Sequence, residues 1–357
     1  MNIAFFESIT SYYVDMHNYL SDNLDFKIYY VYKNFLNHNS DNLSKSLHFI
    51  PTYLSPKSKN AFRFKELVSI IKSNSPKNII AIEYSFLTLQ LIFIKYLYGF
   101  DYKIIVRTDD SLDMLNHSLT FKHSLAKKII SPFVDDFILC DKSVYEYYQI
   151  KYSKGVYFPI VRDEQKMLSE LAKAKSLGIE FVANYNLQQK KILIFVGRLI
   201  PVKNIETILK AINRIERDDF VFTIVGDGPL RNDLEHEAEK SSHRVIFTGN
   251  LTGQDLLAWY NIAHVLILPS WKEAFGAVVN EAMIANCFPI ISEKVGSKGL
   301  VDDGVTGYIF NPHDDKSLAE LIVKALDSIP FVKDNKSLMN MTFNDCANNI
   351  KRIIYEG

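Results

Sequence analysis

Short apolar runs and longer, helically spaced apolar stretches take turns along this chain. Runs bounded by polar or glycine-bearing turns read as buried strands, and stretches with apolar residues at every third or fourth position read as helices. In the first half, strands are expected at Asn2–Glu7, Phe26–Tyr32, Leu47–Ile50, Asn78–Tyr84, Tyr102–Thr108, Asp136–Cys140 and Val156–Pro159. Helices are expected at Ser11–Ser21, Ala61–Ser73, Phe86–Tyr98, Asn116–Ile130, Lys142–Lys151 and Asp163–Ser176. From Leu177 to Lys191 the chain turns polar, and Gly178 reads as a helix breaker. The alternation then resumes with the strands KILIFVG, FVFTIVGDG, VIFTGN and VLILPS, followed by Pro289–Glu293 and GYIF. Helices at Asn204–Ile215, from Pro229, at Thr252–Asn261, over AVVNEAMIA and at Asp314–Ser328 lie between and after them, with a helical tail at Asn344–Tyr355.

Such alternation predicts an α/β chain: two doubly wound, Rossmann-like domains with parallel sheets, facing a central cleft. The boundary is placed in the polar stretch. The first domain is then 1–180 and the second 188–342, with the tail helix 343–357 a candidate to pack back on the first. Ligands bind such sheets at the C-terminal ends of strands. In the first domain those ends are Glu7–Ser11, Glu83–Ser85, Arg107–Asp110 and Asp141–Ser143.

Composition narrows the function. The chain has 357 residues, 48% hydrophobic, enough for two ordinary cores. Lys plus Arg equals Asp plus Glu at 41 each, so no whole-chain field draws it to nucleic acid. The charge is uneven. From Leu43 to Lys103 there are nine basic residues and three acidic ones, Glu66, Glu83 and Asp101. Within this stretch, segment 56–72 mixes Lys57, Lys59, Arg63 and Lys65 with Phe62, Phe64, Leu67 and Ile70. Two readings stand for it: a solvated helix packing its apolar stripe on the sheet, or a helix lying on an anionic membrane. The longest apolar run, Phe86 to Phe100, is interrupted by Gln90 and Lys95 and is too short to span a bilayer. The N-terminus has no signal-peptide pattern, and Cys140, Cys287 and Cys346 have no metal-ligand spacing. A cytoplasmic protein is expected, in peripheral contact with the inner membrane face if the second reading of 56–72 holds.

The chemistry concentrates in EAFGAVVNE. Glu273 and Glu281 stand eight residues apart, one in a strand-to-helix turn and one in the second helical turn. Unpaired N–H groups near Gly276 and Ala277, at the positive end of the helix dipole, suit a phosphate, and the carboxylates suit hydroxyls. Together they describe a site for a sugar nucleotide, although spacing alone is shared with any helix that starts near one Glu and carries another.

Four segments decide between these readings. VGRLIPVKNIETILKAI, IVGDGPLRNDLE, the stretch from VIFTGN through EAFGAVVNEAMIA, and VDDGVTGYIFNPHD stand in order between Ile192 and Leu326. They resemble the C-terminal domain of retaining glycosyltransferases of the GT-B fold, in the large family four. The first half matches that family only in layout. The resemblance implies transfer of a hexose-type sugar from a nucleoside diphosphate sugar, UDP by default, to an acceptor hydroxyl with retention. A glycan or lipid-linked glycan acceptor and a role in bacterial surface polysaccharide synthesis would follow. It implies no cofactor and no metal, because Arg, Lys and the helix dipole neutralise the leaving diphosphate. Gly197, Arg198 and Lys203 match the diphosphate grip. Glu273 matches the carboxylate on the transferred sugar, and Phe275, Gly276 and Ala277 match backbone contacts to sugar and phosphate. Glu281 matches the ribose carboxylate, Gly226, Asp227 and Gly228 the turn shaping the nucleotide pocket, and Asn250 and Leu251 the nucleobase contacts. Glu273, Arg198 and Lys203 are the catalytic candidates.

The first half departs from the family pattern. Its first loop carries no Gly-Gly pair, so Ser8 and Thr10 are the candidates to supply hydroxyls there. The fifth strand ends VRTDDS in place of a His-Asp pair. Arg107, Asp109 and Asp110, with Glu83 and Tyr84, are the acceptor-side candidates, although both aspartates also fit ordinary turn capping. Asp109, Asp110 and Asp113 cluster as a magnesium site would, but the resemblance argues against one. His117 and His123 read as surface groups. The alternatives are a nucleotide-sugar epimerase of the same fold and a catalytically silent sugar-nucleotide-binding partner subunit. The retained Arg198, Lys203 and Glu273 weigh against the silent subunit.

Overall fold

The structure is a computed structural model and describes residues 1–33, 43–56, 62–110, 121–333 and 336–356. The chain divides into two compact units, Met1–Ile160 with Phe343–Gly357, and Val161–Thr342.

The first unit holds β1 (Asn2–Phe6), β2 (Phe26–Tyr30), β3 (Thr52–Tyr53), β4 (Asn78–Ile82), β5 (Lys103–Thr108), β6 (Asp136–Leu139) and β7 (Val156–Tyr157). They form one parallel sheet in the order β3-β2-β1-β4-β5-β6-β7. Its helices are α1 (Val14–Leu24), α2 (Phe64–Asn74), α3 (Phe86–Tyr98), α4 (Phe121–Ile130) and α5 (Lys142–Tyr152). Strands β1 and β4 are buried at every position, which a parallel sheet covered on both faces requires of its central strands. The strand order reverses between β1 and β4, so the loops after these two strands flank the switch point.

The second unit repeats the plan. Its helix α6 (Glu164–Asn184) precedes β8 (Lys191–Val196), α7 (Ile205–Ile212), β9 (Phe220–Val225), α8 (Arg231–Glu239) and β10 (Val245–Gly249). Then come α9 (Gly253–Ile262), β11 (Val265–Leu268), α10 (Val278–Ile284), β12 (Phe288–Ser292), β13 (Tyr308–Phe310) and α11 (Asp315–Ser328). The sheet is parallel, in the order β10-β9-β8-β11-β12-β13, with its switch point between β8 and β11. The tail forms α12 (Phe343–Tyr355), which packs on β7 and α1 of the first unit and buries Phe343, Cys346, Ala347, Ile350, Ile353 and Ile354.

Three expectations are corrected. The run Leu47–Ile50 is not a strand. Ile50 is 91% exposed, and pairing is confined to Thr52 and Tyr53 after Pro51, which has no N–H to donate to a ladder. Helix α6 does not stop before Gly178 but runs through it to Asn184. Gly178 is a packing residue: a Cβ there would lie 3.1 Å from the Ala258 carbonyl oxygen of α9 and 3.1 Å from Ile262. Because α6 packs along α9, the unit division falls at Ile160 and Val161, ahead of the polar stretch 177–191. The expected helix 116–130 is described from Phe121 onward, and segment 56–72 lies partly outside the described residues. Among the described residues no helix is long and apolar enough to cross a membrane, and all three cysteines are buried and unpaired.

Candidate functional site

Chain crossings at the switch point of the second sheet bring Lys203 to Glu273. After β8 the chain passes Gly197 and the exposed Arg198, makes a 3-10 turn over Pro201–Lys203, and enters a left-handed residue, Asn204, with φ 54°. The Asn204 amide donates to the carbonyls of Pro269 and Pro312, each at 3.1 Å, and Trp271 N–H donates to Val202 O at 2.9 Å. These bonds stitch the loop after β8 to the loops after β11 and β13. Glu273 is held by its own backbone, donating to Lys294 O at 3.3 Å and accepting from Gly296 N–H at 3.1 Å. The Lys203 ammonium and the Glu273 carboxylate form an ion pair, with side chains only 16% and 18% exposed. Partly withdrawn from water, the pair interacts more strongly than a surface pair. Arg198 makes no ion pair among the described residues.

The adjoining glycines let backbones meet. Gly226 adopts φ 151°, and a Cβ there would lie 1.9 Å from the carbonyl oxygen of Gly197. At Gly228 a Cβ would lie 2.5 Å from Leu199 O, and Leu199 N–H donates to Asp227 O at 2.9 Å. The turns after β8 and β9 are thus pressed together, and Asp227 stands outward with its carboxylate on Gly228 N–H at 2.7 Å. Asn250 is exposed and Leu251 half-buried at the end of β10. Gly276 turns the chain at φ 85° toward α10, while the Phe275 side chain is buried in the core. Helix α10 has only seven residues, so its dipole is short and by itself a weak anion site.

Glu281 is fixed from two sides. Arg162 Nη1 lies 3.7 Å from Oε1, and the Tyr260 hydroxyl donates to Oε2 at 3.1 Å. The carboxyl still reaches solvent at 20% side-chain exposure, but the protein packed around it pushes its pKa up, against the opposing pull of Arg162 and Tyr260. Burial likewise raises the Tyr260 phenol, which keeps it a donor.

In the first unit the candidates divide. Arg107 lies 3.7 Å over the Tyr13 ring and is ion-paired to Asp109, and the Tyr13 hydroxyl donates to both Asp109 oxygens at 2.8 Å. Asp110 is buried, with Lys127 at 3.6 Å. Both aspartates are thus held by cations. Glu83 follows β4 in the left-handed conformation, φ 45°, uncommon for a residue with a Cβ and a mark of local strain. Its side chain reaches solvent, yet the protein crowded around it, then Asp109, Glu7 and Asp110, push its carboxyl up to about 7. Tyr84 and Ser8 are turned inward: both are buried, and the Tyr84 hydroxyl bonds that of Tyr148. Thr10 is half-buried and caps the following turn through its carbonyl, which accepts from Tyr13 N–H at 3.1 Å. No group of three or more potential metal ligands occurs among the described residues, and Asp113 and His117 lie outside them.

Sequence reasoning missed Asn204, Arg162, Tyr260 and Tyr13. Asn204 was legible in part, since Asn tolerates the left-handed region better than most residues. The other three act through partners distant in sequence, which no local pattern reveals.

Residues 179–338 match the family model described as glycosyl transferases group 1. The chain is 31% identical over 153 residues to the alpha-D-kanosaminyltransferase of Streptomyces kanamyceticus, covering 42% of this chain and 39% of that protein. A Campylobacter jejuni GalNAc-alpha-(1->4)-GalNAc-alpha-(1->3)-diNAcBac-PP-undecaprenol alpha-1,4-N-acetyl-D-galactosaminyltransferase is 29% identical over 153 residues, 42% of each chain. The chain spans less than half the length of the curated relatives it matches. Among solved structures, the Anabaena protein HepE in complex with UDP superposes with TM-score 0.71 at 14% identity, over 99% of this chain and 96% of that one. This likeness carries the fold: two Rossmann-like, parallel-sheet halves of the GT-B type, as expected from the alternation of elements. Residues 179–338, which hold Lys203, Glu273 and Glu281, are the part of the chain that is similar to the glycosyl transferases group 1 family.

Proposed function

We propose that this protein moves a hexose-type sugar from a nucleoside diphosphate sugar to an acceptor hydroxyl, with retention of anomeric configuration. The observation that carries the reading is the Lys203–Glu273 pair at the switch point of the second sheet, beside the exposed Arg198. A cation for phosphate and a carboxylate for sugar hydroxyls stand where such sheets bind nucleotides. Without donor the two neutralise each other. A bound donor divides them: Lys203 and Arg198 take the diphosphate, and Glu273 accepts a hydroxyl of the sugar. As the bond from the anomeric carbon to the phosphate oxygen breaks, negative charge grows on the diphosphate, and two fixed cations stabilise it. The acceptor oxygen bonds to the same face of the sugar, and its proton passes to the leaving phosphate oxygen. Glu281, oriented by Arg162 and Tyr260, receives the ribose hydroxyls. Gly197, Phe275, Gly276 and Ala277 shape the backbone around sugar and phosphate, and Asn250 and Leu251 border the base.

Uridine is the proposed base, supported by the UDP in the HepE structure. A lipid-linked glycan acceptor in surface polysaccharide synthesis is supported by the undecaprenol-linked acceptor in the name of the Campylobacter relative. On this reading no metal is needed, because Arg198 and Lys203 supply the positive charge. Arg107, Asp109 and Glu83 are the proposed acceptor-side groups.

The test is thermal shift and slow donor hydrolysis against UDP-, GDP- and ADP-sugars in EDTA. One nucleotide sugar stabilising the protein is expected. A folded protein that responds to none, with or without acceptor, overturns the reading.

A further inference from the structure

Helix α3 has no polar face. Its inner positions Leu87, Leu91, Ile92 and Ile94 are buried in the core. The outward positions of a surface helix normally carry charge, but here they are Phe86, Leu89, Phe93, Tyr96 and Leu97. Spaced three and four apart, they form one stripe, with Phe93, Tyr96 and Leu97 exposed by 56%, 64% and 57%. Ring contacts widen it on both flanks. Phe64 meets Phe93 at 5.8 Å and stacks on Phe62 at 5.5 Å, while Tyr96 meets Phe133 at 5.8 Å. Leu125 and Ile129 of α4 are exposed as well.

The charges on the two helices of this face have one sign. Helices α3 and α4 hold no acidic residue; they carry Lys95 and the exposed Lys128, while Lys127 turns inward to Asp110. Helix α2 adds an exposed Lys65 and Lys72, whose ammonium lies 5.1 Å over the Tyr98 ring. The nearby acids are largely engaged: Glu66 accepts from Ser55 and Arg63, and Asp135 pairs with Lys95 at 3.3 Å. Protein interfaces deplete lysine from an aromatic core, whereas a lipid surface takes aromatic and aliphatic groups at the acyl boundary and lysines at the phosphates. At 13 residues α3 is about 20 Å long, too short to cross a bilayer but long enough to lie in its surface.

We propose that the α3–α4 face of the first unit rests on an anionic lipid surface, with the stripe from Phe86 to Leu97 at the acyl boundary and Lys65, Lys72 and Lys128 at the headgroups. The stripe starts directly after the loop Glu83–Ser85 at the C-terminal end of β4. Contact through it holds that loop at the lipid–water boundary. Resting on the glycosyl-transfer reading, the acceptor is then an amphiphile whose hydroxyl lies at headgroup level.

The test uses the full chain without substrate, sedimented with vesicles of phosphatidylcholine alone or with one third phosphatidylglycerol. Binding to the anionic vesicles is expected, roughly tenfold weaker without phosphatidylglycerol and weakened by high salt. Leu97→Glu is expected to cut that binding at least about tenfold while the thermal shift with donor stays unchanged. Should Leu97→Glu fail to fold, the exposed Lys128→Glu is expected to weaken binding about fivefold and to remove part of the salt dependence. Failure of the folded wild type to bind anionic vesicles overturns the proposal, as does a dimer on size exclusion that Leu97→Glu dissolves, which makes the face a protein interface. Vesicle binding needs no donor, so it stands or falls apart from the enzymatic reading. Equal turnover of soluble and vesicle-bound acceptor would remove the amphiphilic acceptor alone.

Discussion

Lys203 and Glu273 each hold a charge that the other cancels, partly withdrawn from water. Removing either strands its partner in the unliganded protein and, on the proposed function, removes a contact to the donor. Lys203→Ala and Glu273→Ala are therefore expected to fold, to lose some stability, and to lower transfer by on the order of a hundredfold or more. Circular dichroism and initial rates check this; normal turnover in both would dismiss the site assignment. His17 offers a residue-level test of the fold. It is fully buried against Phe6, Tyr13 and Tyr30, and its Nδ1 is bonded to the Tyr30 hydroxyl at 2.9 Å. Burial, and then Arg107, lower its pKa from the ordinary 6.5 to about 3. Between those values the unfolded chain binds the proton and the folded one does not, so stability falls as pH drops below 6.5. On the order of 3 kcal/mol is expected to be lost from this group between pH 6.5 and 4. Urea midpoints across that range should show the loss in the wild type and a flatter slope in His17→Phe.

Elements carry a different kind of information, shown by α6 and the loop after β8. In sequence Gly178 reads as a breaker, because glycine is a poor helix former. In the fold it is the point where α6 approaches α9, close enough that even a Cβ meets the Ala258 carbonyl at 3.1 Å. Gly178→Leu is expected to push the helices apart and cost about 1–3 kcal/mol, read as a lower urea midpoint. An unchanged midpoint would mean that the crossing has slack. The 3-10 turn over Pro201–Lys203 depends in the same way on Asn204, whose amide spans to Pro269 and Pro312. Asn204→Ala is expected to raise the donor KM more than it lowers kcat, since it loosens where Lys203 stands without removing a cation. A kcat loss as deep as that of Lys203→Ala would instead give Asn204 a direct role.

The whole chain is balanced at 41 basic and 41 acidic residues, with a pI near 7.1, so its self-repulsion is smallest near neutrality. Solubility is expected to pass through a minimum around pH 7 and to improve toward pH 8.5, as a turbidity titration would show. The last helix matters at this scale too. It buries six apolar side chains on the first unit, and the four large ones, Phe343, Ile350, Ile353 and Ile354, are worth about 1.5–3 kcal/mol each against a whole-domain stability of about 5–15 kcal/mol. A chain truncated after Thr342 is accordingly expected to lose the folded first unit, seen as a lost thermal transition or insoluble expression.

Sequence by itself determined the α/β class and nearly every strand and helix, and it singled out the motif around Glu273 and Glu281. Those features rest on local periodicity and on residue types that a short stretch displays. Only the tertiary structure decided that Lys203 meets Glu273, that Arg162 and Tyr260 hold Glu281, and that Tyr84 and Ser8 face inward. It also decided that Gly178 packs rather than breaks, and that the last helix belongs with the first unit. Each of these depends on which distant segments a parallel sheet sets side by side. Strand order is a property of the assembled core and is not written at any one position.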